Sequence, residues 1–128
     1  MQLPNLDSAR IAIVGLGYVG LPLAFELAGR YEVIGFDINA GRVAELQRGY
    51  DRTREVPAAW FEDSAKRPRF TGNQDDLGAC SIFIVTVPTP IDAHRVPDLT
   101  PLRSASRTVG RALKSGDLVI YESTVYPG

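Results

Sequence analysis

The stretch Ile11-Ala12-Ile13-Val14-Gly15-Leu16-Gly17-Tyr18-Val19-Gly20-Leu21-Pro22-Leu23-Ala24-Phe25-Glu26-Leu27-Ala28 decides the architecture. Its first four residues form a continuous apolar run, too short for a buried helix and typical of a parallel strand covered on both faces. Its second half places Leu23 and Leu27, and Ala24 and Ala28, at helical spacing, with Gly29 positioned to end the segment. Pro22 falls in the first turn, where backbone N–H groups have no intrahelical partner to lose. Strand and helix are joined by a turn that holds three glycines in six residues, Gly15 to Gly20.

Working outward, Glu32 to Asp37 reads as a second strand, and Asn39 offers an N-cap for a helix running to about Arg48, before Gly49. The pattern loosens between Tyr50 and Lys66, where Trp60 and Phe61 suggest a short helix on the domain surface; Arg69 to Thr71 suggests a brief third strand. Asp75 to Cys80 has room for one helical turn, and Ser81 to Val87 is a buried strand that Pro88-Thr89-Pro90 stops. Thr100-Pro101 reads as an N-cap followed by proline at the first helical position, opening a helix to about Lys114. Asp117 to Ser123 is a last strand, and the sequence stops at Pro127-Gly128, where a loop should begin. Strands alternating with helices predict an α/β, Rossmann-type doubly wound parallel sheet of order 3-2-1-4-5, truncated at its C-terminal end. At 128 residues, the whole of 1–128 reads as one domain.

Composition narrows the function classes. With 45% hydrophobic and 23% charged residues the chain should form a packed core. Fourteen basic against fifteen acidic residues give a net charge of −1, with no basic cluster interleaved with aromatics, so nucleic acid is not an expected partner. Cys80, the one cysteine, forms no internal disulfide and no zinc pattern, which predicts no metal and fits a reducing cytoplasm. The first ten residues lack a signal-peptide pattern, and no apolar run approaches the ~20 residues needed to span a bilayer, so no membrane association is expected.

Gly15-Leu16-Gly17-Tyr18-Val19-Gly20 fits G-x-G-x-x-G, a weak pattern alone in a chain with twelve glycines, but here it follows a strand and opens a helix. Gly15 permits the tight turn, Gly17 lets a pyrophosphate approach the backbone, and Gly20 allows close helix–strand packing. The helix N-terminus beyond adds N–H donors and the positive end of a dipole. The alternative is a turn that only packs. Asp37 ends the second strand about 20 residues on, where a carboxylate accepts ribose hydroxyls and repels a 2′-phosphate, which favours NAD over NADP. Its alternative is a turn carboxylate. Arg42 lies near enough to stack on adenine or meet a phosphate; the other reading is a solvated helix residue. Thr89 and Thr124 follow strand ends on the side of the sheet where ligands bind, but from position alone turn-forming threonine serves equally well. Cys80 precedes the fourth strand, at the opposite end, with no histidine beside it, and reads as a core residue. His94 in its proline-flanked loop reads as a surface residue, and Asp75-Asp76 as a helix start rather than a metal pair.

Five segments in order carry a resemblance: Ile11 to Ala24, Val33 to Asn39, Val85 to Ile91, Pro97 to Leu102, and Tyr121 to Gly128. Together they resemble the N-terminal domain of the UDP-glucose/GDP-mannose dehydrogenase family, nearest to the branch that oxidises UDP-N-acetylhexosamines in bacterial surface-polysaccharide synthesis. The likeness is weakest from Tyr50 to Arg69. It implies NAD-dependent oxidation of a sugar C6 hydroxyl to a carboxylate in two hydride transfers, through an adduct on a catalytic cysteine. By motif it implies that Tyr18, Val19, Asp37, Arg42, Thr89 and Thr124 contact NAD, with Thr124 also near the reacting centre. It further implies a UDP-sugar substrate and a homo-oligomer for the full-length protein. The family's catalytic cysteine, lysine and acidic residues belong to segments after Gly128, and Cys80 does not match that cysteine. The expectation is therefore a cofactor domain that binds NAD but does not oxidise sugar. A stand-alone NAD-sensing module is the rival; a 3-hydroxy-acid dehydrogenase with the same opening turn is disfavoured by Val87 to Pro90 and Ser123 to Val125.

Overall fold

A computed structural model of the chain describes residues 8–91 and 93–122. Five parallel strands, β1 (Arg10–Val14), β2 (Glu32–Phe36), β3 (Arg69–Thr71), β4 (Ile82–Val85) and β5 (Leu118–Tyr121), lie in the order β3-β2-β1-β4-β5. Three helices connect them: α1 (Gly20–Ala28), α2 (Ala40–Gln47) and α3 (Thr100–Ala112). The predicted layout is the observed one.

The alternation of side chains along each strand builds two cores rather than one. Ile11 and Ile13 of β1 join Val33, Ile82 and Ile84 on one face, where Leu21, Ala24 and Phe25 of α1 and Val43 and Leu46 of α2 cover them. Ala12 and Val14 join Ile34, Phe36, Phe83 and Val85 on the other, under Leu77, Cys80 and Ala105 and Val109 of α3. Both faces of β1 being buried, its sequence reads as an unbroken apolar run. Register aligns the strand ends: Val14 stands opposite Phe36 and Val85, and Val85 opposite Tyr121. The loops that leave these carboxyl ends therefore gather over one edge of the sheet.

The loosely patterned segment is more ordered than its composition suggests. Ala58–Glu62 is a 3-10 turn that buries Phe61, whose ring meets Phe25 edge-on at 4.9 Å, while Trp60 stays 41% exposed beside it. A second 3-10 turn, Gln74–Ala79, replaces the expected helical turn before β4, with Asn73 accepting from the Asp75 N–H at its start. One start signal is displaced. Thr100 is the first residue of α3 rather than its cap, and the Asp98 carboxylate accepts the Thr100 N–H at 2.9 Å. The proline still falls where no N–H is missed.

Candidate functional site

The turn after β1 explains each of its glycines differently. Gly15 adopts φ +107°, which L side chains rarely reach, and donates its N–H to the Phe36 carbonyl at 2.8 Å, tying the turn to β2. At Gly20, a Cβ would stand 1.8 Å from the Gly15 carbonyl oxygen, so α1 can approach the turn this closely only without a side chain. Gly17 is the opposite case: a Cβ there meets no protein atom within 4 Å. Its surroundings are open, and no side chain caps the N-terminus of α1 at Val19. Open space beside an uncapped helix N-terminus suits a phosphate group drawn to backbone N–H donors.

Two residues that motif reading passes over hold this turn in shape. Thr86, just beyond β4, is buried and donates its hydroxyl to the Gly15 carbonyl at 2.7 Å. Leu16 buries its side chain under β2, where Gly35 leaves room for it, since a Cβ at Gly35 would lie 2.9 Å from the leucine Cδ2. That fixes the Leu16 backbone, whose N–H donates to Asp37 Oδ2 at 3.0 Å and whose carbonyl accepts from Arg42 Nε at 2.9 Å. The turn's variable second position thus links it to both charged candidates. No pattern of residue types signals this; only the packing does.

Asp37 also accepts the Asn39 N–H at 2.9 Å through Oδ1. Each carboxylate oxygen keeps acceptor capacity for a further donor such as a hydroxyl. Asn39 caps α2 as expected, accepting the Arg42 N–H at 3.1 Å.

Arg42 is not a solvated helix residue. It is 7% exposed, and its Nη1 donates to Glu45 Oε1 and Asp51 Oδ1, both at 2.8 Å. Burial works against the charge, but the bonds to Glu45 and Asp51 outweigh it and raise the guanidinium above its ordinary pKa. Burial likewise pushes the Asp51 carboxyl up, and hydrogen bonds from Thr53, Arg42 and the Glu55 N–H overcome it, holding it down to about 2. Glu45 follows the same pattern, with burial opposed by hydrogen bonds from Arg42 and Arg52 that keep it below the usual carboxylate range. Among the described residues, Arg42 Nη2 is a buried donor without a protein partner.

Two cavities meet over the strand ends. The first, of about 400 Å³, is bordered by Gly15, Gly17, Asp37, Arg42, Arg52 and Thr53 among others. The second is bordered by Gly17, Tyr18, Val19, Thr86, Thr89 and Glu122 among others. Gly17, Val87 and Pro88 belong to both. The structure thus brings Asp37 and Arg42 together on the β2 side and Tyr18, Val19 and Thr89 on the β4 side. Thr124 lies outside the described residues.

The arrangement fits a dinucleotide: two nucleotide-sized spaces joined at a backbone position open enough for a pyrophosphate, with an acceptor for ribose hydroxyls on one side. Cys80 belongs to neither cavity. It is fully buried, and desolvation pushes its thiol up to about 11 against the opposing charges of Lys114 and Arg10, so the reactive thiolate is scarce. No helix among the described residues is long and apolar enough to cross a membrane.

Comparison with known proteins agrees with this geometry. The model of the UDP-glucose/GDP-mannose dehydrogenase family, NAD binding domain, matches residues 9–128. The chain is 60% identical over 123 residues to a UDP-N-acetyl-D-glucosamine 6-dehydrogenase of Pseudomonas aeruginosa, covering 96% of this chain and 29% of that protein. It is 49% identical over 124 residues to the enzyme of the same name from Salmonella typhi, covering 97% and 29%. Among solved structures, a UDP-D-ManNAc dehydrogenase from Pyrococcus horikoshii superposes with a TM-score of 0.82 at 35% identity, over 93% of this chain and 29% of that one. The chain therefore spans less than a third of the length of these relatives. On sequence, fold and cavity alike, it belongs to the UDP-glucose/GDP-mannose dehydrogenase family and corresponds to its NAD-binding domain.

Proposed function

We propose that residues 1–128 are the cofactor domain of a longer dehydrogenase that oxidises the C6 hydroxyl of a UDP-N-acetylhexosamine to a carboxylate in two hydride transfers. The observation that carries this reading is the paired cavity over the strand ends, hinged at Gly17, in a chain 60% identical to a UDP-N-acetyl-D-glucosamine 6-dehydrogenase. The bound nicotinamide supplies the hydride acceptor.

In this reading the chain's own residues bind and orient. The open side of Gly17 and the N-terminus of α1 receive the pyrophosphate; Gly15 and Gly20 set the turn that makes the approach possible. Asp37 accepts the adenosine ribose hydroxyls, and Arg42 borders the same space. Tyr18, Val19 and Thr89 border the space that receives the nicotinamide half, with Thr124 assigned to the same end through the family motif. Cys80 is no candidate for the covalent step, because its thiol is buried and held protonated. The chain by itself binds NAD without turning over sugar.

The test is titration of this chain with NAD and with NADP, followed by incubation with NAD and UDP-N-acetylglucosamine. NAD should bind and NADP should bind at least about tenfold more weakly, because Asp37 repels the added phosphate. NADP binding as tight as NAD would overturn the role given to Asp37. Accumulation of NADH from the sugar would overturn the assignment as a cofactor domain without catalysis.

A further inference from the structure

Arg42 and Arg52 both border the first cavity, on the side of Asp37 where the adenosine ribose is placed. Two arginines beside a ribose are the usual equipment for holding a 2′-phosphate, because the guanidinium fork matches phosphate geometry and carries full charge. Here Arg42 is enclosed in its ion pairs, and Arg52, with its side chain 60% exposed, is tied to Glu45 through Nε. Arg42 Nη1 is shared between Glu45 Oε1 and Asp51 Oδ1, and Arg52 Nε donates to both Glu45 oxygens, at 3.2 and 3.1 Å. Counting Asp37, which accepts backbone N–H groups and pairs with neither arginine, this side of the cavity has three carboxylates to the two guanidinium groups. The region therefore carries an excess of negative charge although it is rich in arginine.

The two carboxylates that do this are fixed. The Glu45 and Asp51 side chains are 7% and 2% exposed. Asp51 is further held by the Thr53 hydroxyl at 2.6 Å and by the N–H groups of Thr53, Glu55 and Val56. Such a carboxylate cannot swing away to release Arg42 when a phosphate arrives. The remaining Arg42 donor, Nη2, is itself buried, so Arg42 presents no exposed N–H for a phosphate in the cavity.

We propose that Glu45 and Asp51 are specificity-determining residues for the cofactor: by holding Arg42 and Arg52 in ion pairs they deny the 2′-phosphate of NADP a partner, so that the cavity takes the dinucleotide with a free ribose diol. This inference rests on the NAD-binding reading above. It assigns the discrimination to residues behind the cavity as well as to Asp37, which acts on the ribose directly.

The experiment measures dissociation constants of NAD and NADP for the wild-type chain, Glu45→Gln, Asp51→Asn and Arg52→Gln, at low and high salt, with folding checked by circular dichroism. Glu45→Gln keeps an oxygen for Arg42 while removing the charge. It should tighten NADP by about tenfold with NAD changing by less than about threefold, and the gain should shrink at high salt, because a freed surface cation is screened. Asp51→Asn should shift the NADP to NAD ratio in the same direction. An unchanged ratio in folded Glu45→Gln, or a parallel loss of both cofactors, would overturn the proposal. Arg52 is exposed, so Arg52→Gln keeps the test decisive if the buried variants unfold: with its charge already held by Glu45, NADP affinity should change less than about twofold. A tenfold loss there would show Arg52 free to meet phosphate, and the proposal would fall. A wild-type chain that binds neither dinucleotide defeats the functional reading itself and this inference with it; wild-type preference for NAD with no response in any variant defeats the inference alone.

Discussion

The glycine turn and the Arg42 cluster meet at the backbone of Leu16, whose N–H goes to Asp37 and whose carbonyl receives Arg42. The turn is built of backbone: its shape depends on what is absent at Gly15 and Gly20, and the donors it offers are main-chain N–H groups and a helix end. The cluster is built of charged side chains on α2 and the loop after it, enclosed so that burial and pairing oppose each other at Arg42, Glu45 and Asp51. The difference shows how one site separates shape from charge. At Gly15 and Gly20 the backbone turn has no room for an added atom, whereas an ion-pair cluster tolerates changes of shape better than the loss of one charge.

Gly20→Ala strikes the turn hardest. A Cβ 1.8 Å from the Gly15 oxygen forces α1 away from the sheet, and urea unfolding should register a loss of about 4 kcal/mol or more. A cost below about 1 kcal/mol would mean that the helix can back off freely, and the contrast with the cluster would disappear.

Asp51→Ala should cost about 3 kcal/mol, because it strips Arg42 of one counter-charge and leaves loop N–H groups unpaired. Its pH dependence sharpens the point. The folded-state pKa of about 2 lies below the ordinary carboxylate value of about 3.9, so the stabilisation is full above about pH 4 and fades as pH falls toward about 2. About 2 kcal/mol of wild-type stability should vanish in that window and be missing from the Asp51→Asn profile. Identical acid unfolding of the two proteins would remove Asp51 from the account.

Gly17→Ala separates the two functions of the turn. With no protein atom near the added methyl, stability should stay within about 0.5 kcal/mol, while NAD affinity measured by calorimetry should drop about tenfold or more as the methyl enters pyrophosphate space. Equal NAD binding in this variant would move the pyrophosphate elsewhere. The smallest effect belongs to Cys80→Ala, distant from both regions. It should cost about 1 kcal/mol of packing and leave NAD binding unaltered, and the wild-type thiol should resist alkylation at neutral pH in the folded chain.

The strand order, the glycine turn, the Asn39 cap and the placing of Asp37 at the end of β2 are all legible in the sequence. Each rests on a local requirement: an apolar run for a strand covered on both faces, a missing Cβ for a tight turn, an acceptor one turn before a helix. Arg42 was legible as a residue near the site but not in its state, and Thr86 and Leu16 were not legible at all. Thr86 is an ordinary strand-end threonine until β4 is set beside β1, and Leu16 occupies a position the motif leaves variable.

What the sequence by itself determined is the path of the chain and the existence of a tight glycine turn opening α1, because backbone conformation and side-chain alternation are decided within a few neighbouring residues. What only the tertiary structure decided is the electrical character of the cavity. Arg42, Glu45, Asp51 and Arg52 sit close in the sequence, yet whether they are four solvated surface charges or a closed network depends on α2 and the following loop packing against the sheet. Burial makes the pairing of Arg42, Glu45 and Asp51 obligatory, since an enclosed charge without a partner is too costly to keep.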